Sequence, residues 1–189
     1  MHAVQYGATA LGFVFWPRSP RYITAERAAD IVAGLPPTVA TVGVFVNDPV
    51  DAVRATMERS GLTTVQLHGE EPPDYADKLA WPVLRALRVE QVGASDWPTD
   101  TTLLLDALDP ATRGGTGQTI DWTQAADVAR HRRVVLAGGL TPGNVAEAIA
   151  SVRPFGVDVS SGVESAPGIK DVDKMTLFLA TATTAFRNI

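Results

Sequence analysis

The stretch RVVLAGGLTPGNVAEAIASVRPFGVDVSSGV, residues 133–163, contains one complete unit of the pattern that decides the fold. A short apolar run, Arg133–Ala137, leads into two glycines, an Ala-rich segment of helical period follows, and a second apolar run begins at Gly156. Thr141 is predicted to cap the helix, and Pro142 suits its first turn. A strand, a helix and a strand in this order predict two parallel strands joined by a helical crossover.

The same alternation of apolar runs and helical segments extends along the whole chain. The sequence predicts strands that are mostly continuous apolar runs, which is typical of strands covered on both faces. The seven predicted strands are Ala10–Phe15, Thr38–Val46, Thr63–Leu67, Val83–Val89, Thr101–Asp106, Arg133–Ala137 and Gly156–Val159. The predicted helices between them are Ala25–Ala33, Asp48–Gly61, Pro72–Ala80, Thr123–Arg130, Asn144–Ser151 and Asp171–Thr184.

Two architectures fit this alternation, an open doubly wound sheet and a (β/α) barrel. In an open sheet the ligand chemistry gathers at one switch point, whereas in a barrel it comes from the carboxyl ends of many strands. Distinctive polar residues or glycines follow nearly every predicted strand of this chain. The sequence therefore favours a barrel of the α/β class, formed as a single domain over residues 1–189.

The number of strands is one short of a closed barrel. Such a barrel needs eight strands and roughly 200 residues at the low end, whereas this chain has 189 residues and seven predicted strands. Residues 2–9 are typical of the last turns of a helix, with Gly7 at its C-terminal stop. We therefore expect a (β/α)8 TIM barrel from which strand 1 and part of helix 1 are missing in this chain.

The composition excludes several classes of function. The 16 Lys and Arg residues against 21 Asp and Glu give a net charge of −5, which argues against nucleic-acid and membrane partners. No apolar run approaches the roughly 18 residues of a membrane span, and the start lacks the basic region of a signal peptide. A cytoplasmic location is therefore expected. Since there is no cysteine and only three scattered histidines, neither a disulfide nor a metal site is expected.

Two glycine-rich turns follow the last two predicted strands, at Gly138-Gly139 and at Ser161-Gly162. Glycines let backbone N–H groups approach an anion closely, and the loops after the last two strands of a barrel recurrently bind phosphate. We therefore predict a phosphate site there, the alternative being that the glycines only make tight turns. A third turn, RGGTGQT at 113–119, is a candidate for closing over the ligand.

Three side chains at the predicted strand ends are candidates for chemistry or binding. Asp106 ends the run TTLLLD, where a partly desolvated carboxyl group can act as a general acid or, alternatively, cap a turn. Arg21 lies in the proline-stiffened loop WPRSPRY and suits a substrate carboxylate, unless it is a solvated surface charge. His68 follows an apolar strand. It either lines the mouth of the barrel, which is the opening at the carboxyl ends of the strands, or has a structural role.

Seven stretches, in family order and covering essentially the whole chain, resemble the phosphoribosylanthranilate isomerases of tryptophan biosynthesis. The most specific are LGFVFWPRSPRYIT (11–24) and VDVSSGVESAPGIKD (157–171). The others are VGVFVN (42–47), VQLHGEE (65–71), LLLDAL (103–108), GGTGQTIDW (114–122) and LAGGLTPGNVAEAI (136–149). The resemblance implies a (β/α)8 barrel that works without a cofactor.

The resemblance also implies a reaction, the Amadori rearrangement of N-(5-phosphoribosyl)anthranilate to 1-(2-carboxyphenylamino)-1-deoxyribulose 5-phosphate. In that family a general acid protonates the ribose ring oxygen, and a general base removes the C2 proton of the resulting Schiff base. By motif, Asp106 matches the general acid and Arg21 holds the anthranilate end. Asp158 lies near the anthranilate nitrogen, and Asn47 and His68 line the mouth. The matching phosphate turns are Gly138, Gly139, Ser161 and Gly162.

The chain departs from the family at the general base, a cysteine in a Lys-Ile-Cys-Gly motif at the end of the first strand. Because this sequence has no cysteine, the resemblance implies that the chain as it stands is impaired. Two further interpretations stay open, a non-catalytic phosphosugar-binding remnant and a related phosphosugar barrel enzyme. The expected partner is a small phosphorylated substrate, and the expected oligomeric state is a monomer or a homodimer.

Overall fold

The computed structural model describes residues 2–107 and 120–189, over which strands alternate with helices. The strands are β1 (Ala10–Val14), β2 (Ala40–Phe45), β3 (Thr64–Leu67), β4 (Val83–Leu87), β5 (Thr102–Leu105), β6 (Val134–Leu136), β7 (Gly156–Val157), β8 (Glu164–Ala166) and β9 (Ile169–Lys170). The α-helices are α1 (His2–Gln5), α2 (Ala25–Val32), α3 (Val50–Ser60), α4 (Pro73–Ala76), α5 (Trp122–Ala129), α6 (Val145–Val152) and α7 (Val172–Phe186). Short 3-10 helices cover Val89–Ala94 and Ser161–Val163. None of the helices in these two ranges is long and apolar enough to cross a membrane.

Strands β1 to β7 form one sheet in which each strand pairs in parallel with the next one along the chain. The register places Leu105 of β5 beside Leu136 of β6, and Leu136 beside Val157 of β7. Sequential parallel strands with helical connections confirm the α/β class and the seven predicted strands. Within the described residues, β2 is the only strand paired with β1 and β6 the only strand paired with β7, and Val14 of β1 also forms an isolated parallel bridge with Tyr22. The eighth strand of a closed barrel stays a prediction.

The sheet is covered on both faces, which explains why its strands are nearly continuous apolar runs. Leu103 and Leu105 of β5 pack in one core with Phe178 of α7. Leu104 lies between them in sequence, so it points to the opposite face, where it packs with Ala86 of β4. A second core along β1–β3 is built mainly by Phe13, Phe15, Phe45, Met57 and Val65.

Two of the predicted helix caps are confirmed. The Thr24 hydroxyl accepts a hydrogen bond from the backbone N–H of Arg27 at 3.3 Å, at the start of α2. The Asp171 carboxylate accepts one from the backbone N–H of Lys174 at 3.0 Å, at the start of α7. Each cap satisfies a backbone donor that the first helical turn leaves without a partner.

The predicted cap at Thr141 is wrong, because α6 begins at Val145 and Asn144 occupies its N-cap position. Asn144 Oδ1 accepts a hydrogen bond from the Thr141 backbone N–H at 2.7 Å, and its Nδ2 donates to the Gly139 carbonyl at 3.0 Å. The Asn144 side chain therefore folds back over the turn that follows β6 and does not cap the helix. This tie fixes the glycine turn relative to the helix.

The β8–β9 hairpin is a feature that the strand predictions did not include. Its two antiparallel strands are joined through Gly168, which has a φ of +82°. A Cβ atom on Gly168 would lie 2.8 Å from the carbonyl oxygen of Pro20, in the loop after β1. The segment after β7 thus lies directly against the loop after β1. The two edge strands of the sheet are brought towards one another at their carboxyl ends, as in a barrel.

Candidate functional site

Asp106 lies directly after β5, at the carboxyl end of the sheet. Its backbone N–H donates to the Leu87 carbonyl at 3.1 Å, which continues the β4–β5 pairing, and the residue is 7% exposed. A Cβ on Gly138 would lie 3.0 Å from Asp106 Oδ1 and 2.8 Å from the backbone nitrogen of Ala107. Gly138 also has a φ of +80°, so a side chain there would be strained. The structure therefore places the carboxyl group against the first glycine-rich turn.

The environment of Asp106 favours its protonated form. Burial, followed by the nearby carboxylate of Asp158, raises the pKa of Asp106 to about 6, although the Ala107 N–H acts to lower it. Burial likewise raises the pKa of Asp158, while the Lys170 ammonium acts to lower it. Asp158 is solvent-exposed, so a ligand can reach its carboxylate. Two carboxyl groups of this kind in one mouth suit acid–base chemistry.

We expect the raised pKa of Asp106 to reduce stability at neutral pH. A carboxyl group whose pKa is raised on folding stabilises the fold fully below its unfolded pKa, and this contribution is lost as the pH rises through the folded value near 6. Asp106→Asn should therefore increase the free energy of unfolding at pH 7 by about 2–3 kcal/mol. Urea unfolding of both proteins should show this difference shrinking towards zero at about pH 4. A pH-independent difference would contradict the burial argument.

His68 follows β3 and lies beside Asp106. Its Nε2 is 3.8 Å from Asp106 Oδ2, and both side chains are buried. On the other side of the ring, Gln66 Nε2 donates a hydrogen bond to His68 Nδ1 at 2.8 Å. Since Nδ1 accepts this bond, the proton of a neutral ring is on Nε2, the nitrogen that faces Asp106. Gln66 was not predicted as a site residue, although a polar residue inside the apolar run TTVQL was a signal for it.

The two predicted phosphate turns are in direct backbone contact. A Cβ on Gly162 would lie 1.8 Å from the carbonyl oxygen of Leu140, so only a hydrogen atom fits there. Gly138 and Gly139 both have positive φ values, of +80° and +64°. The structure thus brings together the turns after β6 and β7, as predicted. Ser161 begins the short 3-10 helix that contains Gly162. Glycine turns of this kind can present backbone N–H groups to an anion.

Replacing Gly162 with alanine is expected to force the two turns apart and to weaken phosphate-dependent binding by at least about tenfold, the effect of 1.4 kcal/mol. The physical reason is the Leu140 carbonyl, which a methyl group would overlap. Gly143→Ala is the matched control in the same region, because a Cβ there meets nothing closer than 3.8 Å. Calorimetric titration with inorganic phosphate compares the two variants. Equal affinities would contradict the assignment of these turns to phosphate.

Arg21, the predicted carboxylate-binding residue, is held by a partner that sequence analysis missed. Its Nε and Nη2 donate to Oε1 and Oε2 of Glu164 at 2.8 and 2.7 Å. Lys170 Nζ also donates to Glu164 Oε1, at 2.9 Å. Arg21 thus joins the loop after β1 to the β8–β9 hairpin. Glu164 and Lys170 both fall in the resembling stretch 157–171, but nothing in their spacing indicated Arg21 as a partner.

Asn47 follows β2 in a left-handed conformation, with a φ of +57°. Its backbone N–H donates to Glu71 Oε1 at 2.7 Å, and its side-chain oxygen accepts from the Glu70 backbone N–H at 2.6 Å. Glu71 in turn forms a buried ion pair with Arg85 of β4, at 2.7 Å. Asn47 therefore lies at the carboxyl end of the sheet, and its side chain is hydrogen-bonded to the loop that follows β3. The predicted closing turn at 113–119 lies outside the described residues.

The sequence profile of the family described as N-(5'phosphoribosyl)anthranilate (PRA) isomerase matches residues 1–181. The N-(5'-phosphoribosyl)anthranilate isomerase of Pelobacter propionicus is 49% identical over 183 residues, covering 95% of this chain and 88% of that protein.

Solved structures agree with these matches. The phosphoribosyl anthranilate isomerase of Thermotoga maritima superimposes with a TM-score of 0.87 and 40% identity, covering 97% of this chain and 92% of that one. Another structure of the Thermotoga maritima protein is of monomers generated from the dimeric enzyme. A phosphoribosyl anthranilate isomerase in complex with reduced 1-(o-carboxyphenylamino)-1-deoxyribulose 5-phosphate has a TM-score of 0.83 and 39% identity, covering 97% and 91%.

Proposed function

The chain belongs to the N-(5'-phosphoribosyl)anthranilate isomerase family, and on that premise we propose how its residues share the work of the reaction. The family's reaction is the isomerisation of N-(5-phosphoribosyl)anthranilate to 1-(2-carboxyphenylamino)-1-deoxyribulose 5-phosphate, in tryptophan biosynthesis. The reaction is an internal redox change, because C1 of the ribose is reduced while C2 is oxidised to a ketone. No external oxidant or reductant is needed. What remains is to move protons at defined atoms.

Asp106 is the proposed general acid. It donates its proton to the ribose ring oxygen, the C1–O bond breaks, and the nitrogen lone pair forms a Schiff base with C1. The observation that carries this role is the buried carboxyl group beside the glycine turn, with its pKa raised to about 6. At neutral pH a useful fraction of such a group still holds its proton, whereas an ordinary aspartic acid would hold almost none. The proton-bearing Nε2 of His68 lies on the same side.

The remaining predicted residues are proposed to bind the two ends of the substrate. The backbone N–H groups of the turns at Gly138-Gly139 and Ser161-Gly162 take the phosphate. The guanidinium of Arg21 takes the anthranilate carboxylate at the other end of the mouth. Asp158 is proposed to accept a hydrogen bond from the anthranilate nitrogen through its carboxylate. Asn47 is proposed to line the mouth through its backbone.

The C2 proton must leave to a general base, after which the enolamine tautomerises to the ketose. The resemblance assigns this base to a cysteine, and the chain contains none. That the 189-residue chain is impaired for this reason stays a prediction, which is motivated by the absence of cysteine from the sequence.

A substrate that carries deuterium at ribose C2 tests the proposed function. Incubation with the purified chain should convert the aldose to the ketose only slowly, because no cysteine is present to take the C2 proton. The ketose is separated by chromatography, and each turnover should release the label to solvent. If the label is retained and no ketose forms, the chain does not catalyse the reaction and can at most bind the ligand. Titration with reduced 1-(o-carboxyphenylamino)-1-deoxyribulose 5-phosphate, the molecule bound in a relative, then separates a binding protein from an inert one. Gel filtration distinguishes the monomer from the homodimer.

A further inference from the structure

Glu164 is buried at the point where the loop after β1 meets the β8–β9 hairpin. Its side chain is 4% exposed, whereas that of Arg21 is 21% exposed. The carboxylate receives two parallel hydrogen bonds from Arg21, at 2.8 and 2.7 Å, and one from Lys170, at 2.9 Å. Lys174 Nζ donates to the Glu164 backbone carbonyl at 3.0 Å. The mechanism above gives no role to this carboxylate.

The way Glu164 holds Arg21 leaves one edge of the guanidinium available. A guanidinium has five N–H groups in a fixed plane, and Glu164 takes one on Nε and one on Nη2. Both N–H groups of Nη1 and one of Nη2 remain, and within the described part of the chain Nη1 has no hydrogen-bond partner. These groups form a second fork, whose geometry matches another carboxylate. Because Arg21 is partly exposed while Glu164 is not, this second fork is the edge that can meet a ligand.

The charges of the cluster also suit an anionic ligand. Arg21 and Lys170 carry two positive charges and Glu164 carries one negative charge. Lys170 also acts on the Asp158 carboxylate, whereas Arg21 is paired with Glu164 alone among the described residues. Burial acts to raise the pKa of Glu164, but the hydrogen bonds from Arg21 and Lys170 outweigh it and lower that pKa to about 2. Glu164 therefore stays ionised at all working pH values and holds the guanidinium plane in one orientation.

We propose that Glu164 is a positioning residue that orients the second fork of Arg21 and so determines recognition of the substrate's carboxylate end. This inference rests on the proposed function, in which Arg21 binds the anthranilate carboxylate. The alternative is a purely structural tie between the β1 loop and the hairpin. A structural tie would affect every ligand of the site equally, whereas a positioning role affects only ligands that carry the carboxylate.

Two ligands distinguish these roles. One is reduced 1-(o-carboxyphenylamino)-1-deoxyribulose 5-phosphate, and the other is the same compound made from aniline, which lacks the carboxylate. In calorimetric titrations of the full chain, Glu164→Gln should weaken binding of the first ligand about tenfold, since an amide cannot accept both guanidinium hydrogen bonds. Binding of the second ligand should be unchanged. Glu26→Gln is the control, because Glu26 pairs with Arg59 at the surface and should affect neither ligand.

Arg21→Gln separates failure of this inference from failure of the proposed function. If Arg21→Gln weakens the binding of both ligands equally, or of neither, Arg21 does not bind the carboxylate. The role proposed for Arg21 in substrate binding is then overturned. If Arg21→Gln weakens only the carboxylate ligand while Glu164→Gln weakens both or neither, the positioning role is overturned. Where Glu164→Gln does not fold, Glu164→Asp provides the same comparison, because it keeps the charge but shortens the reach to Arg21.

Discussion

Asp106→Asn is expected to reduce turnover by about 10²–10⁴-fold, the usual contribution of one general acid or base. Asparagine has nearly the same size and cannot donate a carboxylic proton to the ribose ring oxygen. The contacts with the glycine turn and with His68 should persist, because they depend on shape and position. Affinity for the reduced product analogue should therefore stay close to that of the unsubstituted protein. Steady-state rates and calorimetric affinities, measured side by side under the same conditions, check both parts.

The outcome has a matched control in Asp127→Asn. Asp127 is a surface residue that pairs with Arg130 on α5, and its side chain is 65% exposed. Its substitution should change neither rate nor affinity. If Asp106→Asn retained the turnover of the Asp127 variant, another residue would have to protonate the ring oxygen. If it lost affinity together with rate, Asp106 would be a binding residue.

Arg85→Met is expected to destabilise the fold by about 3–5 kcal/mol, because it leaves a buried carboxylate without its cation. Arg85 and Glu71 are 2.7 Å apart, and their side chains are 6% and 2% exposed. Arg85 Nη2 also donates to the Gly69 carbonyl at 2.9 Å, and its guanidinium lies over the Trp97 ring at 5.3 Å. The substitution thus removes several contacts at once.

Glu71→Gln should be comparably damaging, since it leaves the buried guanidinium without a counter-charge. It also replaces one of the two oxygens that accept from the backbone N–H groups of Asn47 and Gly69, so one of these donors loses its partner. The control is Lys78→Met. Lys78 and Asp74 are also 2.7 Å apart, but their side chains are 54% and 63% exposed. This exposed pair should contribute less than about 1 kcal/mol. Urea unfolding of the variants measures the difference, and equal losses at the buried and exposed pairs would refute the effect of burial.

The elements of the fold could be predicted because their signals are local. The apolar run TTLLLD predicted β5 and placed Asp106 at its end, and the glycine pairs predicted the turns after β6 and β7. A strand covered on both faces needs a continuous apolar run, and a turn that approaches another backbone needs glycine. Each requirement concerns residues that are adjacent in the chain, so it can be recognised from the sequence alone.

The partners of the site residues could not be predicted in the same way. Glu164 lies 143 positions after Arg21 in the chain, and Arg85 lies 14 positions after Glu71. The residues around each charged side chain do not determine its ion-pair partner. The partner depends on the curvature of the sheet and on where the loops after the strands end. Gln66 and His68 are only two positions apart, but their contact depends on both side chains turning to the same face. The cap prediction at Thr141 was wrong for a related reason. Asn144, near the start of α6, can hydrogen-bond to several backbone groups, and its side chain bonds to those of the preceding turn.

The separation of Arg21 and Glu164 in the chain has a consequence for synthesis in the cell. At about 5–20 residues per second, Arg21 leaves the ribosome roughly 7–30 s before Glu164 does, given the 143 positions between them. During that interval β1, β2 and β3 can already pair with one another, whereas Arg21 has no counter-ion because Glu164 has not yet been synthesised. If Arg21 has its proposed role, recognition of the substrate carboxylate is among the last properties that the growing polypeptide acquires.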